Sequence, residues 1–287
     1  MMKAFAVVVF FSLVVAADGA MNLKIFRDPK EVVLKKRRNS CSTKASSCEP
    51  PDIDKLEEQG FLQSEDGEDR CLIQNYFPGV CEGKYLEIGA LDGVQYSSTY
   101  AFYKVLGWKG VNIEIDPDNF EKLAKNRRDD IANVHSAVCS ESQKVHYAIG
   151  KEDKAVGGVW EFASEEHREK WWPGITLYNT IPMNCTPLQS ILDQTVAART
   201  RKYFFDLGIV DLVGAEYSAL IGIDFERISF GIIIVKKNED DPSNQKIEGL
   251  LRSKGYSVLD VEEDCGSRNV WFINEDFDGI YYRIKRG

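Results

Sequence analysis

The alternation of short apolar runs with amphipathic ones constrains this chain more than any other feature. KYLEIGA (84–90), KGVNIEID (109–116), NVHSAVCS (133–140), KYFFDLGIVDLVG (202–214), ISFGIIIVKK (228–237) and NVWFINED (269–276) read as strands. KVHYAIG (144–150) pairs with the third of these or continues its sheet. Between them, SSTYAFYKVLG (97–107), the segment opened by Asp116-Pro117-Asp118, and PLQSILDQTVA (187–197) have helical spacing. NQKIEGLLRSKGYSVLDV (244–261) reads as helix, Gly turn and strand. Strands that alternate with helices require crossovers, and crossovers give a mostly parallel sheet with helices packed on its faces. Ligands of such α/β sheets bind beyond the C-terminal ends of the strands. No internal repeat interrupts the pattern.

The first sixty residues do not share it. Lys3 precedes an apolar run from Ala4 to Ala17, which is followed by small residues. That order predicts a signal peptide over residues 1–20; an uncleaved anchor in the endoplasmic reticulum or Golgi is the alternative, although the run is short for a spanning helix. No later segment is apolar enough to span a membrane. Residues 21–60, with Lys35-Lys36-Arg37-Arg38 and Pro50-Pro51, read as a poorly ordered leader, and the folded domain is expected over 61–287. Seven cysteines fit an oxidising compartment and hence the secretory pathway. Cys41 with Cys48, and Cys71 with Cys81, are candidate disulfides; Cys139 reads as a buried small hydrophobe. No CxxC occurs and the three His are scattered, so no metal ligands are assigned. Asn184-Cys185-Thr186 is an N-glycosylation sequon, expected on the surface. The formal net charge of -9 disfavours nucleic acid as a partner.

YLEIGALDG carries the first chemical signal. Glu87 ends a strand, and Gly89 and Gly93 allow a tight turn and close approach of a ligand to the backbone. The middle Gly of GxGxxG is missing, which argues against a nicotinamide dinucleotide. The next strand ends in IEID, where Glu114 suits the two hydroxyl donors of a ribose. Acidic groups at both strand ends suit the cationic sulfonium and ammonium of S-adenosylmethionine.

These stretches resemble the FkbM-type methyltransferases of the class I S-adenosylmethionine-dependent fold. The likeness runs through QSEDGEDRCLIQNYF (63–77), YLEIGALDGVQYSSTYAF (85–102), LGWKGVNIEIDPDNFEKLAKNRR (106–128), CTPLQSIL, FDLGIVDLVGAEYSAL and LLRSKGYSV. It implies a Rossmann-like, mostly parallel seven-stranded sheet with helices on both faces, and methyl transfer, typically to a hydroxyl oxygen. By position, Glu87, Gly89 and Gly93 would line the cofactor with Ala90, Asp92 and Ile115 beside them, and Glu114 would hold the ribose. Ser97–Thr99 lies close by, with Ser98 where the family usually has Asn. The family's fourth-strand pattern is similar to Ser-Leu-Asp-Val-Glu-Gly-Ala-Glu; here it reads IVDLVGAE. Asp211 and Glu216 remain as candidate base or orienting groups, while Ile209 and Val213 stand in place of Ser and Glu. Lys236 stands where the next strand usually ends in Glu, which weakens a metal-assisted route. Asp211 could instead cap the following helix.

Residues 150–182 hold Trp160, Trp171 and Trp172 and read as an irregular insertion, either a substrate lid or a packed surface loop. The leading expectation is therefore a secretory-pathway O-methyltransferase acting on a glycan, lipid or small-molecule hydroxyl. A binding or cargo module that has kept the fold without the chemistry is the competing class.

Overall fold

The two strand ends flagged above lie side by side in one sheet. The structure, a computed structural model, describes residues 46–150, 153–196, 202–237, 242–262, 265–266 and 268–277. The expected signal peptide, Cys41 and most of the leader fall outside these residues. Along the chain, β1 (Ser46–Ser47) is followed by α1 (Ile53–Glu58) and α2 (Glu68–Cys71), which runs into a π-helical turn at Leu72–Tyr76. Next come β2 (Val80–Cys81), β3 (Lys84–Ile88), α3 (Tyr100–Lys104), β4 (Lys109–Glu114), α4 (Pro117–Asn126) and β5 (Ala132–His135). A second group contains β6 (Ala137–Cys139), β7 (Gln143–Ala148), β8 (Gly158–Val159), α5 (Glu165–Trp171) and β9 (Ile181–Pro187). The chain continues with α6 (Leu188–Thr195), β10 (Tyr203–Val210), α7 (Glu216–Ile221), β11 (Ile228–Lys236), α8 (Ser243–Ser253), β12 (Tyr256–Leu259) and β13 (Asn269–Asn274).

The main sheet has seven strands in the order β12-β13-β11-β10-β3-β4-β5, and only β13 runs antiparallel to its neighbours. This is the mostly parallel, seven-stranded sheet expected from the sequence. Its central strands are apolar on both faces, as a covered parallel sheet requires. Along β11, Ile233 and Val235 join a core with Leu188, Leu192, Leu220 and Leu251 from α6, α7 and α8. Ile232 and Ile234 join the opposite core with Leu72, Phe77, Phe102 and Trp108. Each such fully buried aliphatic side chain contributes about 1.5–3 kcal/mol.

The stretch expected as one strand over 133–140 is two. At Ser136 the chain changes sheets: its amide still donates to the Glu114 carbonyl (3.0 Å), but Ala137–Cys139 pairs with β9. Nor does 144–150 pair with that stretch. β7 pairs with β8 and β9, giving a second, four-stranded sheet in the order β6-β9-β7-β8. Part of the expected irregular insertion is thus built into regular structure, in β8, α5 and the start of β9. Packing also begins before the expected boundary at residue 61, because β1 pairs with β2 and Leu56 of α1 is buried in the second core.

Both proposed cysteine pairings are corrected. Cys48 bonds Cys81 and Cys71 bonds Cys265, while Cys139, expected as a free buried thiol, bonds Cys185. The partners are set by which strand ends meet, and short sequence spacing does not report that. Three cystines fit an oxidising compartment. No helix among the described residues is long and apolar enough to cross a membrane. Cys71–Cys265 spans 194 residues and ties α2 to the segment before β13. Changing both cysteines to Ser is expected to cost about 3–5 kcal/mol, read as a lower urea midpoint with an intact far-ultraviolet spectrum. An unchanged midpoint would show that packing alone holds these ends.

Candidate functional site

The sheet order reverses between β3 and β10, and the crevice opens at their C-terminal ends. Ligands of doubly wound sheets bind at such a point. The loop after β3 enters through Gly89, whose φ is +82°; a Cβ there would lie 2.0 Å from the Asp211 carbonyl oxygen. Only glycine fits this approach between the β3 and β10 loops. The amides of Gly89 and Ala90 donate to the Ile113 carbonyl (2.9 and 3.1 Å), and the Asp211 amide donates to that of Ile88 (3.1 Å). Three strand ends are thereby laced around a cavity of about 390 Å³. Glu87, Gly89, Ala90, Glu114, Ile115 and Asp211 all line it.

Glu114 is the best-defined group in the wall. It ends β4, is 3% exposed, and accepts from the amides of Leu91 (2.8 Å) and Asp116 (2.7 Å). Leu91 reaches it through a left-handed backbone, φ +46°, a conformation that costs a non-glycine residue energy and gathers at functional sites. Burial pushes the Glu114 carboxyl up to about 7, against the two amide bonds that favour its charge. Each carboxylate oxygen keeps acceptor capacity for another donor.

Glu87 serves a different purpose. Its carboxylate accepts from Ser97 Oγ, the Ser98 amide and Thr99 Oγ1 (2.9, 3.1 and 2.6 Å). Arg127, wholly buried behind it, approaches to 3.5 Å and also donates to Ser97 Oγ (2.6 Å), Thr99 Oγ1 (3.0 Å) and the Gly93 carbonyl (2.6 Å). Burial raises the Glu87 carboxyl despite this neighbour. The network fastens the 93–99 loop to the end of α4. Gly93 belongs to it: a Cβ there would meet Arg127 and Leu123 at 2.7 Å, so this glycine makes room for α4. Asp92 folds the turn by accepting from the amides of Val94 and Gln95, and neither Asp92 nor Gly93 is among the cavity-lining residues.

At the other end of the cavity, Asp211 is half exposed to the opening but hemmed in by protein. Lys236 Nζ lies 3.5 Å from its carboxylate and 3.1 Å from that of Glu65. Loss of solvent around Asp211 raises its carboxyl, assisted by Glu65 and opposed by Lys236. The two carboxylates hold Lys236 as an ammonium, outweighing the effect of its own burial. Asp211 does not cap α7. Glu216, the first residue of that helix, is fully buried; its carboxylate accepts from the Leu212 amide (3.1 Å) and does not line the cavity. Val213 packs beside Trp160 and Trp172, and a Cβ on Gly158 would lie 2.7 Å from it. Its apolar side chain joins the inserted sheet to the β10 loop. Among the described residues no group of His, Cys, Asp and Glu is arranged to hold a metal ion.

The insertion roofs the cavity. Lys154 bonds Asp116 (3.1 Å) and Asp118 (2.6 Å), and Tyr147 donates to Asp116 (3.1 Å). Trp172 is buried and donates to the Val156 carbonyl (2.9 Å), which His167 Nε2 also meets at 3.1 Å. Trp171 lines the cavity with one side exposed. The insertion is therefore both roof and packed anchor. Arg127 and Lys154 had no sequence signal, because each sits in a charged run that reads as a solvated face.

The methyltransferase FkbM domain matches residues 87–258 of the 287. Similar solved structures include methyltransferase FkbM from Methylobacillus flagellatus KT, with 12% identity and TM-score 0.40 over 77% of this chain and 58% of that one. A TehB-like SAM-dependent methyltransferase from Corynebacterium glutamicum has 12% identity and TM-score 0.38 over 77% and 93%. Aeropyrum pernix fibrillarin, solved with natively bound S-adenosyl-L-methionine, has 9% identity and TM-score 0.36 over 67% and 66%. No curated protein matches the chain. The domain match covers more than half of the sequence and includes the end of β3 and all of β4, β10 and β11, and on that ground the chain belongs to the FkbM methyltransferase-domain family.

Proposed function

We propose that this protein binds S-adenosylmethionine in the crevice between β3 and β10 and methylates a hydroxyl oxygen on a glycan, lipid or small molecule in the secretory pathway. The carrying observation is Glu114, a buried carboxylate in the cavity wall, pre-set by two amides and retaining acceptor capacity. The cavity fits such a cofactor on two counts. Glu114 can accept from ribose hydroxyls, and the side-chain-free edge at Gly89 lets a ligand lie against backbone. When bound, S-adenosylmethionine supplies an electrophilic methyl group on a sulfonium. Glu87 and Arg127 act as positioning residues by fixing the 93–99 loop. Asp211, half exposed at the cavity opening, takes up the acceptor's hydroxyl proton. Lys236 orients Asp211 and supplies the positive charge at that end of the cavity. The three cystines and the N-terminal apolar run support the secretory setting.

Calorimetry tests the binding step. Wild-type protein is expected to bind S-adenosylmethionine and S-adenosylhomocysteine in the micromolar range; a folded protein that binds neither sinks the reading. A second reading, ligand binding without methyl transfer, is favoured by Val213, which is engaged in packing where the family pattern has an acid. Transfer of labelled methyl to any hydroxyl acceptor eliminates it.

A further inference from the structure

Asn184-Cys185-Thr186 is the only Asn-X-Ser/Thr triplet in the sequence, and its middle residue is half of a cystine. Asn184 lies in β9 with its side chain exposed and no hydrogen bond to it among the described residues. Cys185, beside it, is 2% exposed and bonded to Cys139 of β6. The two neighbours thus point opposite ways, as successive strand residues do. The fold leaves room for a glycan on Asn184 and none for a change at Cys185.

We propose that Asn184 is an N-glycosylation site whose use competes with closure of the Cys139–Cys185 cystine. This rests on the secretory setting and is independent of methyl transfer. In the folded protein β9 is paired on both sides, with Asn184 opposite Lys144 of β7 and Cys185 beside Ala137 of β6. A strand held in two ladders cannot enter a transferase site, so the sugar must be attached before β9 is in place. In that step Asn184 Nδ2 forms a bond to C1 of a lipid-diphosphate-linked oligosaccharide. The bond from C1 to the phosphate oxygen breaks, the amide gives up one proton, and the lipid diphosphate leaves. No electrons are exchanged.

Cystine closure removes two protons and two electrons from the thiols, taken up by the compartment's dithiol–disulfide oxidants. Cys139 precedes Cys185 by 46 residues, so it is already in the lumen when Cys185 arrives. Closure then ties the acceptor's neighbour to β6 and ends its availability. Pro187 adds a second restraint by holding Thr186 extended, and this one does not depend on redox state.

The test is expression of the full chain in a eukaryotic secretory host, with its own leader and separately with a heterologous signal peptide. Total cell lysate is treated with peptide N-glycosidase, and Asn184 occupancy is read by mass spectrometry. Partial occupancy is expected in wild type, rising at least twofold under a dithiothreitol pulse and in Cys139→Ala, and absent in Thr186→Ala. Because the sugar is added before folding and lysate is measured, a variant that misfolds still reports. If Asn184 is unmodified in the signal-directed chain even under reduction, there is no site. If occupancy is the same in wild type, reduced cells and Cys139→Ala, there is no competition. A glycan present only with the heterologous signal would overturn the secretory setting of the natural leader.

Discussion

Arg127→Met is expected to destabilise the protein by about 3–5 kcal/mol, because it strands two buried carboxylates without their cation. Arg127 is wholly buried and lies 3.5 Å from Glu87 and 3.7 Å from Asp130. It also donates to Tyr85 Oη (2.7 Å), which in turn donates to Asp130. Removing one partner from such a network leaves the others desolvated and unmatched, a larger loss than the ion pair itself contributes. The midpoint of thermal unfolding should fall by about 10 °C for a domain of this size. A change below about 1 kcal/mol would show that Ser97 and Thr99 hold Glu87 without the guanidinium. At temperatures where the variant stays folded, cofactor affinity should fall as well, since the 93–99 loop loses its fastening to α4.

Glu114 should give the largest effect on binding. Glu114→Ala removes the acceptor for the ribose and leaves the Leu91 and Asp116 amides without a partner. A loss of about a hundredfold in cofactor affinity is expected, corresponding to roughly 3 kcal/mol. The pH dependence is a sharper test. Its carboxyl is near 7 in the folded protein and near 4.5 in an unfolded chain. The folded state therefore keeps this proton where the unfolded state has lost it. Stability from this group is fully present below pH 4.5 and is lost as pH rises to about 7, by roughly 3 kcal/mol in all. Hydroxyl donors on a bound ribose favour the carboxylate, so binding runs the other way. Affinity should weaken by about fifteenfold on going from pH 7 to pH 5.5, with uptake of ligand releasing protons. Glu114→Gln should bind weakly with a flat profile over this range. A wild-type profile equally flat would remove Glu114 from the ligand's contacts.

The main sheet was legible because parallel strands covered on both faces carry uninterrupted apolar runs, and GIIIV in β11 can hardly be anything else. Glu114 was legible through its place at a strand end, one crossover beyond the glycine turn. What stayed hidden depends on contacts that sequence distance does not encode. The switch of sheets at Ser136 lies inside a run with strand character on both sides. Cys71 and Cys265 meet because α2 and the start of β13 share a core, and nothing local to either reports it. Arg127 stands in NRRDD, where one of two adjacent arginines is buried and the other exposed. Val213 read as a lost acid; in the fold it has gained a partner, the inserted sheet.

The Cys71–Cys265 bond also changes the topology of the molecule. Covalently the domain is a ring of nearly two hundred residues with two tails, and apart from Glu65 and Arg268 every residue that borders the cavity lies within the ring. A protease that cuts one of these loops opens the ring but yields no separate fragment until the cystine is reduced. Under oxidising conditions, damage to the roof of the cavity would leave a molecule of unchanged mass apart from one added water.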